Sequence, residues 1–362
     1  MKNSIDGFMS DDVLGSVDRA MGNTLYGFNH NNVKPILDKE YVGIDKVFFV
    51  RPQLNMTASN LRNDREMTNL ITTEVNTIQS FVRHTLDPRL VFSKSKTETR
   101  TVPTFMDQQN AFIPLLSNAL RTLSGFPDRT LPTFTSKAGV KGEMYSAPDG
   151  IFEYHGIVEV DCVFDKLKGD PVEKLISTWA RVQGLQVEGM MVPYMQEDIM
   201  RTRNFDTRIY RINLDSTGTV VLAIAATGVS FPNVDNVGKQ FDYERDKPID
   251  RGNTTNFRFT SIGVTYNDPI LIQEFNETSA QFNSDVSKML KGKAHDLFKL
   301  PRSIKSSYNN VGYPIINDKT MELEWWVSKH GETYAKILKS IEDTDNAKKS
   351  GALGTNNVRI KT

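Results

Sequence analysis

Tyr210-Arg-Ile-Asn-Leu-Asp215, Val220-Val-Leu-Ala-Ile-Ala-Ala-Thr-Gly-Val-Ser-Phe-Pro232 and, past a polar excursion, Asn256-Phe-Arg-Phe-Thr-Ser-Ile-Gly-Val-Thr-Tyr-Asn-Asp-Pro-Ile-Leu-Ile-Gln-Glu-Phe-Asn276 form the stretch that decides the fold. Apolar residues alternate at Tyr210, Ile212 and Leu214, and again at Val220, Leu222, Ile224 and Ala226. Period two marks half-buried strands. In the third segment Phe257 and Phe259 share one parity, whereas Ile262, Val264 and Tyr266 share the other. One extra residue near Ser261–Gly263 would restore the apolar side, so a bulge or sharp bend is expected there. Three or four bent antiparallel strands predict an α+β fold built on a curled sheet or β-barrel.

Working outward, a chain of 362 residues predicts about two domains. Lys plus Arg and Asp plus Glu both number 44, giving zero formal net charge. The basic excess of a protein that binds nucleic acid over its whole surface is absent. Weak self-repulsion leaves association between copies open. No apolar run reaches the ~18 residues of a membrane span. Met1–Asp6 lacks a signal-peptide apolar core, and Cys162 is the lone cysteine, so synthesis in a reducing cytosol is expected.

In chain order, residues 1–40 read as an arm, with a short amphipathic helix over Ser10–Met21 that packs on its own domain or docks on a neighbour. Residues 41–132 read as an N-terminal α+β domain. It holds a strand at Val47–Val50 stopped by Arg51-Pro52, helical patches over Leu61–His84 and a helix over Asp107–Leu123. Ser93–Thr101 is polar throughout. Residues 133–278 read as a β domain. Val158, Val160, Cys162 and Phe164 alternate in a strand, and a helix opens at Asp170-Pro171 and closes near Gly184. Residues 279–342 read as a helical C-terminal extension, with helices over Asn283–Leu290 and Lys319–Ile341, and 343–362 as a flexible tail.

The chain carries none of the phosphate-loop, dinucleotide, nucleophile-elbow or zincin motifs. His30, His84, His155, His295 and His330 show no metal-ligand spacing, and Cys162 falls on the apolar parity of its strand. No catalytic, cofactor-binding or metal-binding residue is nominated. Glu143, Glu153, Glu159 and Asp161 could supply paired carboxylates to a glycan or peptidoglycan hydrolase, although a solvated sheet face explains Glu159 and Asp161 as well. Interface candidates are Trp325 and Trp326, adjacent on a helix as read here, and the arginines Arg201, Arg203 and Arg208. Those arginines would meet acidic neighbours or phosphate, and the long charged loop Asn233–Thr255 is of the kind that reaches another copy.

Val42–Asn55, Asp107–Leu116, Leu123–Asp128, Phe164–Pro171, Ala225–Pro232 and Tyr266–Leu271 together resemble virion structural proteins of large tailed bacteriophages, of the tail tube, baseplate or neck type. The resemblance spans roughly Tyr41–Asn276. It implies a tail-tube-like curled sheet or barrel at 133–278 with a flanking helix. It also implies a homo-oligomeric ring, often sixfold, made of copies of this chain and joined to other tail or neck proteins. Transient contact with DNA in the lumen, a virion location after synthesis in the host bacterial cytoplasm, and no catalysis, cofactor or membrane contact go with it. The alternatives are a capsid or head-associated protein, and a particle-associated hydrolase.

Overall fold

The computed structural model describes residues 44–92 (except 73 and 75), 103, 105–150, 156–194, 206–233, 254–301, 311–330 and 332–349. The expected arm with its Ser10–Met21 helix, Ser93–Arg100, Glu153, Arg201, Arg203 and most of the Asn233–Thr255 loop lie outside the described residues. Strands β1 (Ile44–Phe49), β2 (Leu120–Ser124), β5 (Ile157–Asp165), β6 (Ile209–Leu214), β7 (Val221–Pro232) and β8 (Thr254–Tyr266) form one six-stranded sheet in the order β1-β6-β7-β8-β5-β2. Every pairing in it is antiparallel. β3 (Thr133–Thr135) and β4 (Ser146–Pro148) pair only with each other, and β9 (Leu297–Lys299), β10 (Tyr313–Ile316) and β11 (Leu323–Ser328) make a third sheet. The main helices are α1 (Ile78–Leu86), α2 (Pro114–Ala119), α3 (Pro171–Val187), α4 (Ile270–Phe282), α5 (Ser284–Leu290) and α6 (Glu332–Lys349).

The large sheet is covered differently along its width. Neighbouring residues of a strand point to opposite faces, and at β1 both Phe48 and Phe49 are buried, in two separate cores. Phe48 joins Tyr210, Ile212, Ile224 and Ala226 under α4 (Leu271, Phe275) and β11 (Trp325, Val327). Phe49 joins Val160, Cys162, Phe164, Phe257 and Phe259 under α3, whose Leu175, Ile176, Trp179 and Val182 form the apolar stripe expected of it. The same core takes in Leu54, Leu61, Val82 and Leu116, so sheet and core both run across the boundary expected at residue 132. Ring contacts tie this core together: Phe49 lies 6.0 Å from Phe164 and 5.7 Å from Phe259.

The parity slip in β8 is present, and its cause is a pair of glycines. Thr227 faces Val264 and Val229 faces Ile262, so neither strand gains a residue between them. Gly263 has φ +74° there, and a Cβ on Gly228 would lie 1.9 Å from the Ile262 carbonyl oxygen. At this crossing the buried side of β8 shifts by one residue, so that Val264 shares a core with Phe257 and Phe259. A bulge does occur elsewhere. Asn213 pairs with Ala223 but Leu214 with Val221, which turns Leu222 outward against the expected alternation.

Other expectations give way. Asp107–Leu123 is helical only over α2, because the residue before Pro114 is driven out of the helical region. Ile113 instead donates its N–H to the Phe49 carbonyl, and Leu120–Ser124 pairs with β5. Asp170 stands at φ +51° and makes no side-chain cap, and α3 runs past Gly184 to close at Gly189, φ +77°. Ile270–Asn276 is helix, for Asp268-Pro269 ends β8 and Asp268 accepts the Ile270 N–H at 3.0 Å. The C-terminal extension is mixed: Trp325 and Trp326 lie on strand β11, and α6 continues to Lys349, inside the stretch read as tail.

A buried cation joins the elements flanking β1. Arg51 donates Nε to Thr85 O (3.0 Å), Nη1 to Gln108 O and Asn110 O (both 3.2 Å), and Nη2 to His84 O and to Gln108 Oε1 (3.0 Å). His84 and Thr85 sit in the last turn of α1, where carbonyls lack helical partners and attract positive charge. Burial lowers the Arg51 pKa to about 10. Beside it, the fully buried Asp87 carboxylate accepts the N–H groups of Met56 (2.8 Å) and Arg89 (3.1 Å) and the Tyr194 hydroxyl (2.8 Å). Burial nonetheless raises its pKa to about 6.

Candidate assembly surfaces

Where β5, β8 and the end of β7 are covered on one side, their other side is open. Cross-strand pairing aligns Ile157, Ile262 and Val229 in one exposed apolar row. Four residues along β8 from Ile262, Arg258 places Nη1 2.8 Å from Glu159 Oε2 and Nε 2.8 Å from Asp161 Oδ1. Glu159 and Asp161 therefore share one guanidinium on a solvated sheet, where such pairs contribute little stability. Glu143 sits apart, its Oε2 accepting the Lys141 N–H at 2.9 Å.

β3 and β4 form a projecting hairpin that the sequence reading did not find. Ser136 donates to Tyr145 O, Asp149 to Pro132 O and Gly139 to Glu143 O, closing the ladder to its tip. Phe134, Val140, Met144 and Tyr145 are all exposed, Val140 fully. The base is anchored: Tyr266 donates its hydroxyl to Pro127 O at 2.6 Å, and Arg129 stacks 5.0 Å from the Tyr266 ring. Gly139 and Gly142 between Phe134 and Tyr145 are the signal that could have revealed the turn.

Arg208 is held within its own chain. Its Nη1 lies 2.6 Å from Glu274 Oε2 of α4, Nε donates to Thr227 O (3.0 Å), and the guanidinium stacks 5.4 Å from the Tyr210 ring. Trp325 is 5% exposed and packs 6.2 Å from Phe48. Trp326 faces the other way, half-buried, with Nε1 donating to Glu324 Oε2 at 3.1 Å. The strand thus divides the tryptophans, one inside and one at the surface.

Trp326 borders an open groove of about 1330 Å³ between the start of β7, α4, α5 and the β10–β11 pair. Leu222, Ile272, Met289, Leu290 and Met321 line it, with Asp268, Glu277, Asp318 and Glu324 outnumbering Lys291 and Lys319.

The titratable groups do not converge. His84 donates its Nδ1–H to Ser80 O (2.8 Å) with its pKa lowered by burial, while His330 Nε2 stands 3.3 Å from Asp296 at the surface. Burial pushes the Cys162 thiol well up, which leaves it unreactive. Among the described residues no three His, Cys, Asp or Glu are grouped to hold a metal ion, and no helix is long and apolar enough to cross a membrane.

A protein-family model described as "Putative phage tail tube protein" matches residues 7–342. The chain belongs to this phage tail tube family. It is thus a tail-tube-related structural component of a phage virion, as the resemblance implied. Among solved structures, it is similar to the anti-feeding prophage cap that terminates the AFP tube, at 12% identity and TM-score 0.24, covering 48% of this chain and 98% of that one. It is also similar to the PVC sheath/tube terminator of an extracellular contractile injection system in the extended state (12%, TM-score 0.23, 48% and 99%). A third likeness is to the PVC sheath-tube complex in the extended state (13%, TM-score 0.22, 43% and 82%). No curated protein matches the chain.

Proposed function

We propose that this tail tube family member is the subunit of a homo-oligomeric ring, placed in the tail, baseplate or neck of a phage particle, and that it acts through contacts between subunits and not through catalysis. The observation that carries the proposal is the amount of contact surface the single chain leaves open: a bare half-sheet and a free apolar hairpin. Monomeric proteins seldom leave large contiguous apolar surface in water, and a two-stranded hairpin is marginal without packing.

The sheet is read as curled. Three strands separate β1 from β5, which in a flat sheet would put them roughly 19 Å apart, yet the Phe49 and Phe164 rings are 6.0 Å apart. A curled sheet repeated around an axis presents one face to a lumen, through which DNA would pass. Sixfold closure and arm exchange by residues 1–40 belong to the same reading. Head-to-tail contacts of this kind generate rings when the rotation closes.

Negative-stain microscopy with mass photometry of the purified chain tests it. Closed rings or stacked tubes, without hydrolysis of glycans or peptides, are the expected result. A monomer at high concentration that cleaves a glycan would overturn the reading.

A further inference from the structure

We infer that the β3–β4 hairpin of one copy docks by its tip into the β7–α4–α5–β10/β11 groove of the next copy. The inference rests on the ring reading above and names the two surfaces that would meet. Three observations lead to it.

The hairpin is an arm and not a lid. Among the described residues it pairs with no other strand, and from Leu131 to Gly150 only Ser136 and Ala147 are even half-buried. Its apolar side chains Phe134, Val140, Met144 and Tyr145 all face solvent. With roughly nine residues on each side and ~3.3 Å per residue, the arm can reach about 30 Å from its base.

The groove suits a polypeptide better than a small molecule. Its volume of about 1330 Å³ exceeds the ~300–1,000 Å³ usual for small-ligand clefts, and it is open along its length. The outward-turned Leu222 and the partly exposed Met289, Leu290 and Trp326 give it an apolar floor. Among the described residues nothing buries Leu222, which the β6–β7 bulge presents to the groove at 50% exposure.

Charge selects the occupant. The arm tip Ser136–Glu143 carries Lys137 and Lys141 against one acid, Glu143, whose carboxylate is turned back onto the Lys141 N–H of the tip itself. The groove lining carries four acids against two lysines. Glu324 is already engaged by Lys299 at 2.7 Å, and Glu277 accepts Gln273 Nε2, while Asp318 stands exposed at the rim. Opposite charges at matching rims steer association and fix which surfaces meet. Because arm and groove are different surfaces of one chain, the contact is heterologous, as a ring or a stack of rings requires.

The test uses the full-length chain, with self-association read by sedimentation velocity and mass photometry at low and high salt. K137E/K141E is expected to weaken association at least about tenfold at low salt, with a smaller effect at high salt where charges are screened. E277K/D318K is expected to do the same, and the chain carrying all four reversals to recover most of the loss. All four side chains are exposed, so the urea midpoint of each variant should stay at the wild-type value. Wild-type assembly that neither reversal weakens, or a fourfold variant no better than the pairs, overturns the arm-and-groove contact alone. A wild-type chain that never associates overturns both this contact and the ring.

Discussion

Replacing Arg51 with Met should cost the fold about 1–5 kcal/mol. The guanidinium donates to four backbone carbonyls and one side-chain oxygen, and two of those carbonyls, His84 and Thr85, are buried at the end of α1. A buried acceptor left without its donor costs ~1–3 kcal/mol, so the gross loss over the four carbonyls is roughly 4–8 kcal/mol, the part-buried ones regaining some from water. Against that, a pKa lowered from 12.5 to about 10 means that the cation is itself held at a cost of roughly 3 kcal/mol, at ~1.4 kcal/mol per decade. Removing the charge returns that amount, and the difference is the figure above. Urea denaturation followed by Trp fluorescence gives it directly, because Trp179 lies in the core that the clamp adjoins. Arg51→Lys is the informative control: an ammonium keeps the charge but cannot reach the carbonyls as a planar fork does. A loss under about 1 kcal/mol for Arg51→Met, or a Lys variant as stable as wild type, would refute the reasoning that the fork's geometry holds α1 to the 107–110 segment.

Asp87 makes a second prediction through pH. Its folded pKa of about 6 lies above the ordinary 3.8, so between those values the folded state binds the proton more tightly. Its contribution to stability therefore rises as pH falls from about 6 toward 4 and is constant above that window; Asp87→Asn should flatten this slope in urea midpoints taken across the range. Gly228→Val would force a side chain into the 1.9 Å approach of the Ile262 carbonyl, so β7 and β8 must part locally; a loss of soluble, folded protein by circular dichroism is expected, whereas Gly184→Ala, with open space around it, should be neutral or slightly stabilising. Trp325→Ala should cost ~3–5 kcal/mol by emptying a core site, and Trp326→Ala distinctly less; equal losses in thermal or urea melts would contradict their placement on opposite faces of β11.

Legibility followed how many faces of an element are covered. β5 and β6 were legible as strands because their buried residues alternate, and α3 because one stripe meets the sheet. β11 was not. Leu323, Glu324, Trp325 and Val327 are all buried, so period two disappears and the run passes for helix. Glu324 is buried with Lys299, Asn317 and Trp326 donating to it, and the first two lie on other strands or across a turn. No local pattern announces such a cluster. The candidate surfaces divide the same way: Trp326 was visible as a residue, but the groove beside it exists only once β7, α4 and β10 meet.

The segment 107–123 shows that a physical signal can be present and still be outvoted. Ala111, Phe112, Leu115, Leu116, Ala119, Leu120 and Leu123 fit helical spacing, yet Ile113-Pro114 stands within the run. A proline disfavours helix in the residue before it, so the chain before Pro114 had to be extended. Being extended, Phe112 bridges Val50 and enters the core with Phe48 at 5.1 Å, and Ile113 closes on β1. That contact sets α2 between β1 and β2, the two edges of the sheet, whose residues line one common cavity with it. α2 thus lies beside both sheet edges, while the bare face, the hairpin and the groove are the surfaces through which copies would meet, which is why the reading of one proline bears on how the protein assembles.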